Sequence, residues 1–471
     1  MERNVASDAA VDDFEFTVPL LIVGGGAAGC VAALAAHDAG VPPLLVERDE
    51  SPSGTTGLSQ GLFCAAGTRS QAAHGVDDSP EIFFNDIMAK TKGQTDPVIA
   101  RAIAEGSGPC LEWLVSQHDL PWELDTAFRA VYGNSRLRVH GWPGRGGIDM
   151  IQLLHRKLAD LGIDVLPSAR LVDIVAGEGG RAAGVVLERP GGALERIGCE
   201  ALILASGGFA ANHERVSHFM PEAAPARHNG HEGNQGDGLW LGEKLGGALA
   251  DMASYQGYAM LTDPQGVTVP PGVLVEGGFL VNRDGRRFVN EMEDIAGMVH
   301  PVMAQPGGEA FVIYDQAIED RCAHIPETKA LIELNAAKKA DTPAALAGLL
   351  GIDAAAFEAG LAEAWRARDE GRPDAVGRLW GEDRPPSAPF HAVKVVGAIY
   401  HTQGGLQIDG TARVLRPDGS PLPNLFAAGG AARGVSGPSS WGYLPAMGLC
   451  AAVTLGMIAG RSAAALVGVE G

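Results

Sequence analysis

The chain has 471 residues, 46% of them hydrophobic and 20% charged, too long for one small module and too apolar for intrinsic disorder. Its 65 glycines are about twice ordinary usage; without a G-X-Y period they argue against collagen and predict many tight turns. A formal net charge of −21 argues against a nucleic-acid partner, because phosphate contact needs a basic face.

Met1 to Phe16 carries five acidic residues and no apolar run, so it does not read as a signal peptide. Val18 to Val23 is short and apolar, a predicted buried strand. Gly24 to Gly29 follows, then an Ala-rich helix over Cys30–Ala39 and a second strand at Leu44–Val46, closed by Glu47-Arg48. Residues 80–118 read as helical, with Ser79-Pro80-Glu81 as an N-terminal signature. Ile148–Leu161 is a further amphipathic helix. Residues 163–204 alternate strand-like segments with Gly/Pro turns and end in a buried strand at Ala201–Ala205. From about 253 the texture changes, with a strand pair around Arg283-Asp-Gly-Arg286 and Ala-rich helices at 343–368. Pro385, Pro386 and Pro389 mark the exit, and residues 401–471 return to Gly-rich turn, strand and helix. His37, His118 and His155 fall on helical stretches and read as surface residues. The expected organisation is a nucleotide-binding domain in two parts, 14–252 and 401–471, interrupted by a cap at 253–400.

The six cysteines are scattered, with no C-x-x-C, which argues against a disulfide framework, a zinc knuckle or a c-type haem. They read as small buried hydrophobes, and the chain as cytoplasmic, with no metal site. The most apolar segment, Ala431–Ala465, contains Arg433, Pro438 and Pro445, so no transmembrane segment is expected.

Gly24-x-Gly26-x-x-Gly29 lies between a strand and a helix, and Glu47 stands 21 residues beyond Gly26. In that setting the first glycine makes a tight turn. The second lets backbone N–H groups reach a pyrophosphate, and the third packs helix on sheet. Glu47 would accept hydrogen bonds from an adenosine ribose.

Further motifs accompany this start: Leu204-Ala-Ser-Gly-Gly-Phe-Ala-Ala-Asn212, Gly236-Asp-Gly238, Val281-Asn-Arg-Asp-Gly-Arg-Arg-Phe-Val-Asn-Glu291, His401-Thr-Gln-Gly-Gly-Leu406 and Leu425-Phe-Ala-Ala-Gly429. In order and spacing the set resembles the fumarate reductase/succinate dehydrogenase flavoprotein family, which includes the ketosteroid Δ1-dehydrogenases. The resemblance covers roughly Phe16 to Gly460. It implies an α/β fold, a Rossmann-like FAD-binding domain of the glutathione-reductase type with an inserted α+β capping domain, and substrate between the two. Carried over, Gly24, Gly26, Ala28 and Gly29 hold the pyrophosphate, and Glu47 with Arg48 the ribose. Gly54, Thr55, Thr56, Ser59, Gln60 and Gly61 run along the phosphates and flavin. Ser206, Gly207, Gly208 and Asp237 complete the cradle, with Gly429, Gly430, Tyr443 and Leu444 at the flavin end. The family often places an acidic residue where Gly430 stands. Its covalent members tether FAD through a His in the loop after the second strand; residues 53–63 contain none, so FAD is expected to be non-covalent.

At the active-site positions this chain departs from the family. The Arg that donates a proton in soluble fumarate reductases corresponds to Ile295, the Arg that clamps a substrate carboxylate to Ser440, and a substrate-facing His to Tyr258. Only His401 is retained. An apolar side chain cannot donate a proton, and a serine cannot form a bidentate cationic fork, so dicarboxylates are disfavoured. Ketosteroid Δ1-dehydrogenases carry tyrosines at the corresponding positions; Ile295 and Ser440 replace those as well. Tyr443 and the start of the helix after it are candidates to hold a carbonyl oxygen, with Tyr258, His401, Glu293 or Asp294 as base. Arg138, His140 and Arg145 lie where the family passes over the substrate cavity, Arg145 being a candidate carboxylate ligand. The expected activity is an FAD-dependent dehydrogenase acting on CH–CH bonds, desaturating a carbonyl compound such as a cyclic ketone. The alternatives are fumarate reductase-like reduction of an activated C=C bond and an electron-relay flavoprotein subunit. Electrons would pass to an external acceptor or to dioxygen.

Overall fold

The computed structural model describes residues 13–470; the acidic stretch 1–12 lies outside the described residues. Two compact units emerge, one from the described part of Met1–Phe219 with Gly230–Tyr255 and His401–Gly471, the other from Met220–Asn229 with Gln256–Tyr400.

The first unit is built on an eight-stranded sheet. Four of its pairings are parallel, linking Pro421–Ala427, Leu194–Leu204, Phe16–Val23, Pro43–Val46 and Asp164–Leu166 in that order. Such strands are covered on both faces, which explains the continuous apolar run that ends the first strand: Leu20, Leu21 and Ile22 are fully buried. Strand Arg170–Ala176 pairs antiparallel with Ala182–Glu188, which pairs antiparallel with Leu194–Leu204. The predicted strand at 201–205 is therefore the end of an 11-residue strand.

Helix Ala27–Asp38 is buried from Ala27 through Ala36, because the closing helix Met447–Glu470 lies against it. Small residues make this approach possible. A Cβ on Gly456 would stand 2.4 Å from the Ala28 carbonyl oxygen, and one on Gly460 2.3 Å from that of Ala32. Met447–Gly468 is long and apolar enough to cross a membrane by length and composition, but 67% of its most apolar window is buried inside the protein. Pro438 and Pro445, which counted against such a segment in the sequence, both precede the helix.

The helical prediction over 80–118 resolves into two helices, Pro80–Lys90 and Pro97–His118. Lys92 and Gly93 have positive φ between them, and Pro97 starts the second helix, where its missing N–H has no partner to lose. Ser79 Oγ accepts from Ile82 N–H, as its sequence signature predicted.

The second unit carries a six-stranded sheet around Phe390–Thr402. Phe279–Val281 pairs not with a neighbour across the Asp284-Gly285 turn but with Glu309–Asp315. The turn itself closes by the Asn282 N–H donating to the Arg286 carbonyl. Phe279, Ile313, Leu346, Phe357 and Trp380 form part of this unit's core. Residues 220–229 join it because Arg227 and His228 pair in parallel with Ala398 and Ile399. A two-residue pairing leaves no periodicity in the sequence, so the division expected at 253 missed it.

Candidate functional site

The turn after the first strand has the backbone that its glycines foretell. Gly24 has φ +111°, and a Cβ there would lie 2.4 Å from the Ala205 oxygen. A Cβ on Gly29 would lie 1.9 Å from the Gly24 oxygen, so the helix start touches the turn directly. Gly26 caps the helix in an extended conformation without a side-chain hydrogen bond, leaving the positive end of the helix open to an anion. Around the turn stand three supports. Glu47 Oε2 accepts from Gly25 N–H at 2.6 Å, Thr56 Oγ1 accepts from Ala27 N–H at 3.0 Å, and His155 Nε2 lies 2.8 Å from the Gly25 oxygen. Glu47 Oε1 also accepts from Asp49 N–H. A carboxylate offers about four lone-pair positions, so Glu47 can fix the loop and still receive ribose hydroxyls.

The neighbouring segments converge on the same place. Gly54–Gly57 forms one helical turn, and Asn234 Nδ2 donates to Thr55 Oγ1 at 2.8 Å. Ser59 Oγ donates to the Thr56 oxygen and accepts from Gly61 N–H. Gln60 is half-buried beside them. Ser206 Oγ is buried without a partner. Gly207 has φ +78°, and a Cβ on Gly208 would collide with Thr402 Oγ1. Gly429 has φ +61°, and a Cβ on Gly430 would lie 2.6 Å from Gly208 N. Arg48 and Asp237 line a cavity of about 600 Å³ with Arg170, Asn212, Arg215 and Trp240. Within it Asp237 accepts from Arg170 Nε at 3.1 Å. A helix start whose cap residue brings no side chain, an orphaned hydroxyl and backbone cleared by glycines fit the diphosphate of a dinucleotide cofactor.

At the start of the closing helix a different arrangement appears. Tyr443 is buried, with Leu444 beside it even more so, and its Oη accepts from Gly448 N–H at 3.3 Å. A Cβ on Gly448 would stand 2.8 Å from His401 Nε2 and 3.4 Å from Tyr443 Oη. Both polar atoms thus pack closely against this glycine, which has no room for a side chain. Burial pushes the Tyr443 phenol above its ordinary range, only partly offset by the Gly448 hydrogen bond. Burial also pulls the His401 imidazole down to about 4, leaving it neutral at pH 7. Ser440 begins a one-turn 3-10 helix on the approach to the closing helix and is buried there.

A family model described as an FAD binding domain matches residues 20–442. The chain belongs to this family. Among its relatives is a fumarate reductase (cytochrome) of Shewanella frigidimarina, 30% identical over 98% of this chain and 79% of that protein. A urocanate reductase of Eggerthella lenta is 28% identical over 99% and 77%. Among solved structures, the open conformation of a flavocytochrome c3 fumarate reductase superposes with a TM-score of 0.80 at 28% identity, over 97% of this chain and 79% of that one. A 3-ketosteroid-Δ4-(5α)-dehydrogenase from Rhodococcus jostii RHA1 shares the fold, with a TM-score of 0.78 at 24% identity over 97% and 99%. The protein is an FAD-dependent oxidoreductase of the fumarate reductase/succinate dehydrogenase family.

Several side chains of this flavoprotein sit otherwise than the sequence suggested. Arg138 is fully buried and bonded to Asp78 at 2.9 Å and to Asp86 at 2.5 Å, so it holds the Pro80–Lys90 segment rather than a ligand. His140 is buried between Thr68 Oγ1 and the Arg138 oxygen, and burial pulls it down to about 4. Arg145 is paired with Asp125 at 2.6 Å, its charge already matched. Tyr258, in the second unit, donates to the Val269 oxygen at 2.6 Å and stacks on Tyr400; a phenol spending its proton this way is not the free base expected. Asp294 accepts from Ala296 N–H and Glu293 is exposed. Burial makes His401 a weaker base than an ordinary imidazole, with its pKa lowered to about 4. At Tyr443 desolvation outweighs the one N–H that the helix start offers it, so the phenol holds its proton more tightly than usual. His118 is buried and bonded to Asp38, and the half-buried His155 supports the phosphate turn; neither is the plain surface residue expected. Sequence reasoning passed over His155, Asn234, Gln403 and Gly448 as contributors to these sites. Asn234, next to the Gly236-Asp-Gly238 motif, and Gln403, inside the His401–Leu406 motif, carried a local signal; the others gain their partners only on folding.

Proposed function

We propose that this flavoprotein desaturates the Cα–Cβ bond beside the carbonyl of an uncharged substrate, such as a cyclic ketone, with non-covalent FAD. One observation above the rest supports it. At the position that the family resemblance gives to a carboxylate-clamping Arg, this chain has Ser440, and the polar atoms at the closing helix are a neutral imidazole and a protonated phenol. Bound FAD supplies the acceptor for the β-hydrogen. Tyr443, whose oxygen already accepts from Gly448 N–H, keeps its own O–H to donate to a carbonyl oxygen. That bond strengthens as the α-proton passes to a water molecule and charge builds on the oxygen.

A second reading, reduction of an activated C=C bond, draws support from relatives described as fumarate and urocanate reductases. Anaerobic stopped-flow spectroscopy separates the two. Cyclic ketones are expected to bleach the oxidised flavin, and fumarate to reoxidise the reduced protein at least ~10³-fold more slowly than the best enone, given two missing transition-state contacts. Rapid reoxidation by fumarate would refute the uncharged-substrate reading; rapid reoxidation by enones without bleaching by ketones would establish the second.

A further inference from the structure

We propose that Gln403 is a positioning residue that holds His401 in the tautomer carrying its proton on Nε2. That makes the neutral imidazole a hydrogen-bond donor on the side facing Gly448. The consequence for catalysis rests on the proposed carbonyl chemistry; the tautomer itself stands on geometry.

Gln403 Nε2 lies 3.1 Å from His401 Nδ1. With the amide NH₂ facing the ring, as the structure places it, Nδ1 is the bare nitrogen and Nε2 the protonated one. The competing contact is the Thr402 carbonyl oxygen, 3.4 Å from the same Nδ1. It would favour the opposite tautomer, but it is longer and lies on an adjacent residue. Gln403 is itself rigidly held. Its N–H donates to the Ser254 oxygen, its carbonyl accepts from Gly434 N–H, and only 6% of it is exposed. Its Oε1 is turned to the Gly434 backbone, 2.9 Å from where a Cβ there would stand. A side chain at position 434 would drive the amide away from the ring.

The consequence is a pair of uncharged donors, His401 Nε2–H and Tyr443 Oη–H, gathered around Gly448 at the positive end of a helix. A neutral imidazole polarises a carbonyl without having to release a proton. Such a pair suits an oxygen that gains charge during the reaction and rejects a substrate needing a full counter-charge.

The test reads the tautomer by ¹⁵N-detected imidazole NMR on FAD-loaded protein, with the His401 signals assigned by their loss in His401→Asn. Wild type is expected to show a bare Nδ1 and a protonated Nε2. Gln403→Met removes the donor at similar volume and should shift the ring toward Nδ1–H, facing Thr402, with FAD still bound. Gln403→Glu offers an acceptor and should drive the same change further. Nδ1–H in wild type, or a tautomer unmoved by Gln403→Met, would overturn the proposal whatever the substrate proves to be. With the substrate in hand, Gln403→Met should lower kcat by ~10- to 100-fold while KM shifts little. A tautomer change without loss of kcat would leave Gln403 in place and sink the carbonyl role of His401 instead.

Discussion

Tyr443 and Gly448 together test what the polar pair at the closing helix does. Tyr443→Phe deletes one donor with little change in packing, and kcat should fall by ~10²–10³ with FAD retained; a near-normal kcat would reduce the phenol to cavity lining. Gly448→Ala is a sharper probe, because its methyl would stand 2.8 Å from His401 Nε2. Turnover should be lost with flavin absorbance retained, and the melting temperature should fall because the added methyl overpacks the contact. At the other end of the cofactor, Glu47→Ala removes the acceptor for Gly25 and Asp49 N–H groups together with the expected ribose contact. FAD affinity measured by fluorescence should weaken by ~1–3 kcal/mol. Acid precipitation should release all the yellow colour, and colour retained in the pellet would show a covalent bond.

Among the elements, the pair of buried helices is held at a spacing that only glycine permits. Gly460→Ala places a methyl 2.3 Å from the Ala32 oxygen, and overpacking of that kind costs about 1–3 kcal/mol. An earlier thermal transition is expected. Gly468→Ala, in the same helix with nothing within 4 Å of its Cβ, should be neutral or raise stability slightly, since alanine favours helix. Equal effects of the two changes would show that helix propensity rather than contact governs the site. The pair also moves function and stability together, since the first helix of the pair begins at the phosphate turn and the second begins at Gly448's neighbour, Met447.

For the molecule as a whole, buried imidazoles set part of the acid limit. Burial depresses His140 and His401 each from 6.5 to about 4. Their folded forms stay neutral through the range in which the unfolded chain takes up protons, so the unfolded state binds more protons between about pH 6.5 and pH 4. Stability is therefore lost as pH falls through that window, by up to about 3 kcal/mol for each histidine. His391, lowered by burial despite Glu319 beside it, adds in the same direction. Asp38 is raised by desolvation but held by Trp113 and His118 below its ordinary value of 3.8, so its contribution disappears only further down the pH scale. Urea midpoints at pH 7 and pH 5 should differ clearly in wild type and by less in His140→Gln. An equal loss in both would show that His140 already carries its proton in the folded protein.

Much of the cofactor site was legible in the sequence because it is written locally. Gly24, Gly26, Gly29 and Glu47 lie within two strands and one helix, and the demands on each are set by backbone geometry that a few neighbouring residues impose. The order of the later motifs carried the family, and with it FAD. The side chains around the start of the closing helix were not legible in the same way. Arg138, Arg145 and Tyr258 looked available in the sequence, yet Asp78, Asp125 and the Val269 carbonyl occupy them. The acidities of His401 and Tyr443 depend on burial, which is a property of packed surroundings and not of residue type. Gln403 stands two residues from His401 in the chain, but its hold on the ring depends on Ser254 and Gly434 fixing its backbone. Cofactor and reaction family were thus readable from the order of residues alone. Which polar groups remain available for chemistry was set by folding, because each partner comes from a distant part of the chain.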